Sequence, residues 1–243
     1  MTPDPWADGR LLRRVVRARD AVLDEDRWPL TVPAVRQVWD DGLELGPGVT
    51  FLVGENGSGK STLVEAVAAA AGLGLEGGGA GHVLHATQPA ASPLAEHLAL
   101  VTGPGGLGHG WFLRAETMHG LYTYLEQSGG RDYHAMSHGE SFLAVLDERF
   151  RGRALFVLDE PESALSFRSC LSLLVVLQDL VSRGSQVLCA THSPLLVSLP
   201  GATLLEVGGH GLREVAYDDL DLVRDWRGFL EAPGRWLRHL LEQ

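Results

Sequence analysis

Nine consecutive residues, Gly54-Glu55-Asn56-Gly57-Ser58-Gly59-Lys60-Ser61-Thr62, carry the clearest chemistry in this 243-residue chain, and Lys60 is the single lysine among its 20 Lys and Arg residues. A run of the form G-x-x-x-x-G-K-[ST] lets backbone N–H groups wrap phosphate oxygens while a compact ammonium reaches the β and γ phosphates. A guanidinium is larger and fork-shaped, so arginine does not replace lysine there. A compositional drift toward arginine accounts for the other basic residues. It does not account for the one remaining lysine completing a phosphate motif, so the segment is expected to bind a nucleotide.

Two further positions fit the same chemistry. Ala154–Leu158 is a continuous apolar run ending in Asp159-Glu160-Pro161. In that Walker B layout the Asp159 carboxylate and the Ser61 hydroxyl hold Mg²⁺, which bridges phosphate oxygens. Glu160 follows as the base that orients and deprotonates an attacking water. Taken alone, Asp-Glu-Pro is as readily a strand-ending turn; the phosphate loop upstream decides for function. His192 closes the next apolar run, Gln186–Ala190. If those two runs are neighbouring parallel strands, His192 lies on the ligand-facing edge, in reach of the γ-phosphate.

These groups need elements to hold them. Val49–Val53 is a β-branched apolar run that stops at Gly54, and Ser61–Ala71 is rich in helix formers and stops at Gly72. Strand, glycine loop and helix in that order aim a helix N-terminus at bound phosphate. Leu11–Arg17 and Trp28–Val32 read as short strands, Trp111–Ala115 as a strand, and Glu116–Gln127 and Glu140–Phe150 as helices. Leu165–Val181 is an apolar-rich helix, Thr203–Val207 and Leu212–Val215 a hairpin, and Trp236–Glu242 a terminal helix. Residues 72–110 hold eleven glycines and read as a peripheral, loop-rich insertion. Strand–helix alternation with polar residues at strand C-ends indicates an α/β sheet.

With these motifs in order, the chain resembles the ABC-type ATPase superfamily. That resemblance implies a signature loop between phosphate loop and Walker B, matched by Met136-Ser137-His138-Gly139-Glu140, with Ser137 lying 22 residues before Asp159. It implies that Ser137, Gly139 and Glu140 serve the nucleotide of a partner subunit. It further implies a P-loop NTPase fold with a parallel core sheet, an N-terminal antiparallel β part and a small helical signature subdomain. Residues 1–243 then form one domain, with about 72–138 inserted in the core. Glu162, Ser166 and Ser193 depart from the transporter pattern and look more like the stand-alone predicted ATPases of the "AAA family" group. The glutamine expected after the strand before the signature is missing; Glu116 or Arg114 stands there, and Gln88 lies in the Pro-rich segment.

Other residues weigh less. Trp28 is a candidate to stack on adenine, against the commoner core or rim tryptophan. His82 and His85 lack further ligands for a metal site. Cys170 and Cys189 sit in apolar stretches and read as buried thiols of a reducing compartment. A net charge of -11 argues against broad attraction to nucleic acid or anionic membrane, although Arg10, Arg13, Arg14, Arg17 and Arg19 form a local basic run. No signal-peptide layout or spanning apolar run is present, which favours a cytoplasmic protein. The expected activity is Mg²⁺-dependent ATP hydrolysis by a head-to-tail homodimer acting on an unidentified partner. The alternatives are a transporter's ATPase subunit, a DNA-associated ATPase, or a nucleotide switch with little turnover.

Overall fold

The computed structural model describes residues 9–74, 78–79, 92–127, 132–133, 135–136, 138–149 and 152–241. In chain order the strands are β1 (Leu12–Arg17), β2 (Leu43–Glu44), β3 (Val49–Val53), β4 (Gly78–Gly79), β5 (Leu98–Thr102), β6 (His109–Arg114), β7 (Ala154–Asp159), β8 (Gln186–Thr191), β9 (Thr203–Gly208) and β10 (Gly211–Glu214). The helices are α1 (Pro33–Asp41), α2 (Lys60–Ala70), α3 (Met118–Gln127), α4 (His138–Arg149), α5 (Phe167–Ser182), α6 (Asp221–Glu231) and α7 (Pro233–Leu241).

The main sheet runs β10-β9-β3-β8-β7-β6-β4. Its five central strands, β9 to β6, are parallel, and the two outer strands are antiparallel. Every position of β3, β7 and β8 is buried, as expected for strands covered on both faces. Along β7, Leu155 and Val157 enter one core with α1 and α2, while Phe156 and Leu158 enter the other with α3, α4 and α5. That alternation is the two-residue period of a strand expressed as two hydrophobic layers. A second sheet, β2-β1-β5, is antiparallel and lies on the α1 and α2 side. Helix α2 stops as a Schellman turn: Gly72 has φ +72°, its N–H donates to Ala69 O and that of Leu73 to Ala68 O.

Two expectations need correction. Trp28–Val32 is a chain of turns, with Leu30 N–H on Arg27 O and Val32 N–H on Pro29 O, leading into α1. Pro29 has no ladder donor, and Pro33, preset for a helix start, opens α1 instead. The segment read as loop-rich contains β5, whose Leu98 joins Leu94 in the α2-side core. Its five residues are apolar enough to pair with β1 once that strand is in place. Helix α6, unanticipated, follows the β9–β10 hairpin. Gln88, His82 and His85 lie outside the described residues.

One buried side chain joins the two sheets. Gln186 is 3% exposed and opens β8. Its Oε1 accepts from Leu11 N–H (3.1 Å) and Leu12 N–H (2.8 Å), and its Nε2 donates to Leu12 O (2.8 Å) and Gly46 O (2.7 Å). Removing it strands buried backbone groups away from water. Gln186→Ala is expected to lower stability by about 3 kcal/mol, seen as a midpoint shift in urea unfolding. A shift under about 0.5 kcal/mol would show that the link is dispensable.

Candidate active site at the carboxyl edge of the sheet

Strand β3 delivers the chain to Gly54 between β8 and β9. A Cβ at Gly54 would stand 2.2 Å from Val207 O, so the loop leaves the sheet in direct contact with the β9 backbone. Gly59, with φ +102°, precedes α2, and a Cβ there would meet Val32 Cγ1 at 2.7 Å. Glycine is therefore required at both ends of the cradle. Lys60 begins α2, is 3% exposed, and donates from Nζ to Gly54 O (2.7 Å) and Glu55 O (2.9 Å). Burial lowers its pKa, opposed by the nearby carboxylates Glu160, Asp159, Glu162 and Glu55. The ammonium thus sits across the loop mouth, held by that loop's own carbonyls.

Beside it, β6, β7 and β8 end level: Arg114 is in register with Asp159, and Asp159 with Ala190. Asp159 is 2% exposed, with Arg114 Nε 3.3 Å from its Oδ2. Arg114 also reaches Glu65 on α2, Nη1 to Oε1 at 2.6 Å. A guanidinium, then, stands against the Walker B carboxylate at the strand end where a glutamine was sought. Glu116 lies in the short 3₁₀ turn Ala115–Thr117 beyond it. Among the described residues Glu160 is the one non-glycine with positive φ, at +47°. That backbone costs on the order of 1 kcal/mol and is held by the bond from Glu160 N–H to Ala190 O at 3.0 Å. Its Oε1 stands 3.6 Å from His192 Nδ1.

A cleft of about 430 Å³ collects Lys60, Ser61, Thr62, Arg114, Asp159 and Glu160, with Trp28 on its rim. A larger concavity of about 810 Å³ borders the other side of the loop, Gly54–Ser58, with His192 and Trp226. The paired carboxylates line only the smaller cleft, which makes it the place for chemistry. A buried carboxylate already matched by a cation, a serine hydroxyl on the same wall, and a glycine loop whose two ends admit no Cβ together suit Mg²⁺ and a triphosphate.

Ser137 lies outside the described residues. Gly139 and Glu140 occupy the first turn of α4, with Gly139 packed beside Ser169 and the 161–164 turn. Neither lines the cleft of its own chain. The basic run is engaged internally: Arg10 donates to Leu45 O, Arg14 to Asp41 O, and Arg17 lies over the Trp39 ring. Cys170 and Cys189 are buried free thiols. Sequence reasoning overlooked the use of Glu162, whose Oε1 binds Thr191 and His192, although its place in Asp-Glu-Pro-Glu was visible.

Two family models match. One, described as "AAA domain, putative AbiEii toxin, Type IV TA system", takes residues 113–198; another, "AAA domain", takes residues 35–81. UvrABC system protein A of Rhizobium meliloti (strain 1021) is 31% identical over 123 residues, 47% of this chain and 12% of that protein. The chain thus spans about a tenth of the length of that relative. Among solved structures, an inward-facing putative metal-chelate type ABC transporter is 16% identical, over 86% of this chain and 84% of that one, with a TM-score of 0.47. The SMC head domain from Thermotoga maritima is 14% identical, over 72% and 93%, with a TM-score of 0.44. The matched models take in the phosphate loop, Walker B and the His192 segment; with the parallel sheet, they fit a P-loop NTPase fold. Among the described residues no helix is long and apolar enough to cross a membrane.

The shape of the Lys60 site gives a direct test. Lys60→Arg keeps the charge but puts a fork where a compact ammonium is enclosed. Titration with a fluorescent ATP analogue is expected to show binding weakened about 100-fold, or ~2.7 kcal/mol. Wild-type affinity in the arginine variant would contradict the enclosure argument.

Proposed function

We propose that the chain binds ATP with Mg²⁺ in the cleft around Lys60 and Asp159 and hydrolyses it. The observation that supports this reading most is the convergence of a glycine cradle, a buried lysine, a buried aspartate and an adjacent glutamate on one sheet edge. Lys60 turns from the Gly54 and Glu55 carbonyls to the β and γ phosphate oxygens, and the amides of residues 57–62 enclose them. Ser61 and Asp159 hold Mg²⁺, which when bound neutralises charge between phosphate oxygens. Arg114 gives up its contact with Asp159 and keeps Glu65 as a partner. Trp28, which lines the same cleft as Thr62, is the platform for the base.

Glu160 accepts a proton from water as the water oxygen bonds to the γ phosphorus. The bond from that phosphorus to the β–γ bridging oxygen breaks, and ADP and phosphate leave. His192, beside Glu160, holds a γ-phosphate oxygen and reports its loss. Gly139 and Glu140 do not line their own cleft, and in the head-to-tail homodimer we propose, Ser137, Gly139 and Glu140 cap the nucleotide of a second copy. Residues 1–243 act as one domain, in which β5 and β6 of the stretch 72–138 belong to the two sheets. Loss of the γ-phosphate then releases the interface and moves an unidentified partner in the cytoplasm.

Glu160→Gln separates binding from turnover, because the amide cannot take the proton. Steady-state hydrolysis is expected to fall at least about 100-fold. ATP-dependent dimer should accumulate on size exclusion with light scattering. Turnover within about threefold of wild type would remove Glu160 from the role of base.

A further inference from the structure

Glu162 joins the two loops on which that chemistry depends. It lies second in the 3₁₀ turn Pro161–Ala164 that follows β7 and Glu160. Its Oε1 accepts from Thr191 Oγ1 at 2.6 Å and from the backbone N–H of His192 at 2.7 Å. Thr191 Oγ1 accepts in turn from the backbone N–H of Ser193 at 3.0 Å. One carboxylate therefore fixes two consecutive amides of a distant loop, one directly and one through a hydroxyl. The Glu162 side chain is only 9% exposed, so water is poorly placed to replace it. An ionised acceptor makes these bonds stronger than a neutral one would.

The geometry is not that of an imidazole–carboxylate pair. His192 Nδ1 stands 3.5 Å from Glu162 Oε1 and 3.6 Å from Glu160 Oε1, so the ring is poised between them, beyond a short hydrogen bond to either. The firm contacts run to the backbone on both sides of the His192 Cα. Thr191, the last residue of β8, is fully buried, so the loop is anchored on the strand side as well.

We propose that Glu162 is a positioning residue that clamps the His192 loop to the Walker B turn, and so sets where the imidazole stands relative to Glu160. The same turn continues into Leu165 and Ser166, whose hydroxyl caps α5. A shift of the 163–166 segment would thereby be passed through Glu162 to His192. This coupling rests on the roles given above to Glu160 and His192; the clamp itself does not.

The test compares wild type, Glu162→Ala, Glu162→Gln and Thr191→Val without nucleotide, reading amide hydrogen exchange at residues 191–195. Loss of the acceptor in Glu162→Ala is expected to speed exchange at His192 and Ser193 about tenfold. Glu162→Gln keeps a carbonyl oxygen at the same place and should stay within about threefold of wild type. Thr191→Val should free Ser193 and leave His192 protected, which keeps the clamp testable if the alanine variant does not fold. In the hydrolysis assay, Glu162→Ala is expected to lower kcat about tenfold with ATP affinity unchanged, and Glu162→Gln to restore most of it. Unchanged exchange at His192 in Glu162→Ala, or loss of His192 protection in Thr191→Val equal to that at Ser193, would overturn the clamp. Normal clamp signatures in a protein without turnover would instead overturn the hydrolytic reading alone.

Discussion

The site depends on strands that finish level. Parallel pairing sets Val53 opposite Thr191, Asp159 opposite Ala190, and Arg114 opposite Asp159. Four chain segments remote in sequence thus turn out of the sheet at one height. A slip of one residue in β7 would send Asp159 to the opposite face, because strand side chains alternate. Registry is secured by continuous burial of β3, β7 and β8, and each strand carries an apolar residue into both cores. The hydrophobic layers are what give the polar edge its precision.

Lys60, Arg114 and Asp159 each find partners at that edge within the chain. Lys60 is satisfied by two carbonyls, and Arg114 bridges Asp159 and Glu65. Buried charges left unmatched would be costly, and these pairings supply partners of the sign that nucleotide and metal would later supply. On the proposed reading, binding is an exchange of partners for Lys60 and Asp159. The Glu160 backbone, at positive φ and bonded to β8, sets the proposed base beside them.

Much of this was legible in the sequence for a physical reason. Val49–Val53, Ala154–Leu158 and Gln186–Ala190 are continuous apolar runs, and such runs declare themselves as buried strands. The phosphate loop is local, so its nine residues carry their own geometry. What escaped depends on partners far away in the chain. β5 exists because β1 offers an edge, and its short run is hidden among glycines. The strand expected at Trp28–Val32 gives way to turns at Pro29, and Pro33, with its preset helical φ, then opens α1. Gln186 and Glu162 give no sequence signal of the backbone groups they bind, since those belong to residues 140 or more and about 30 positions away. Arg114 was visible as a charge at a strand end, but its pairing with Asp159 required the register.

The central claim is that residues 54–62 and Asp159 form one triphosphate site. A crystal structure with Mg²⁺ and a slowly hydrolysed ATP analogue tests it most directly. Phosphate oxygens are expected on the loop amides, with the metal held by Ser61 and Asp159 and Lys60 Nζ turned away from the Gly54 and Glu55 carbonyls. Analogue bound elsewhere, with Lys60 still closed on those carbonyls at saturating concentration, would contradict it.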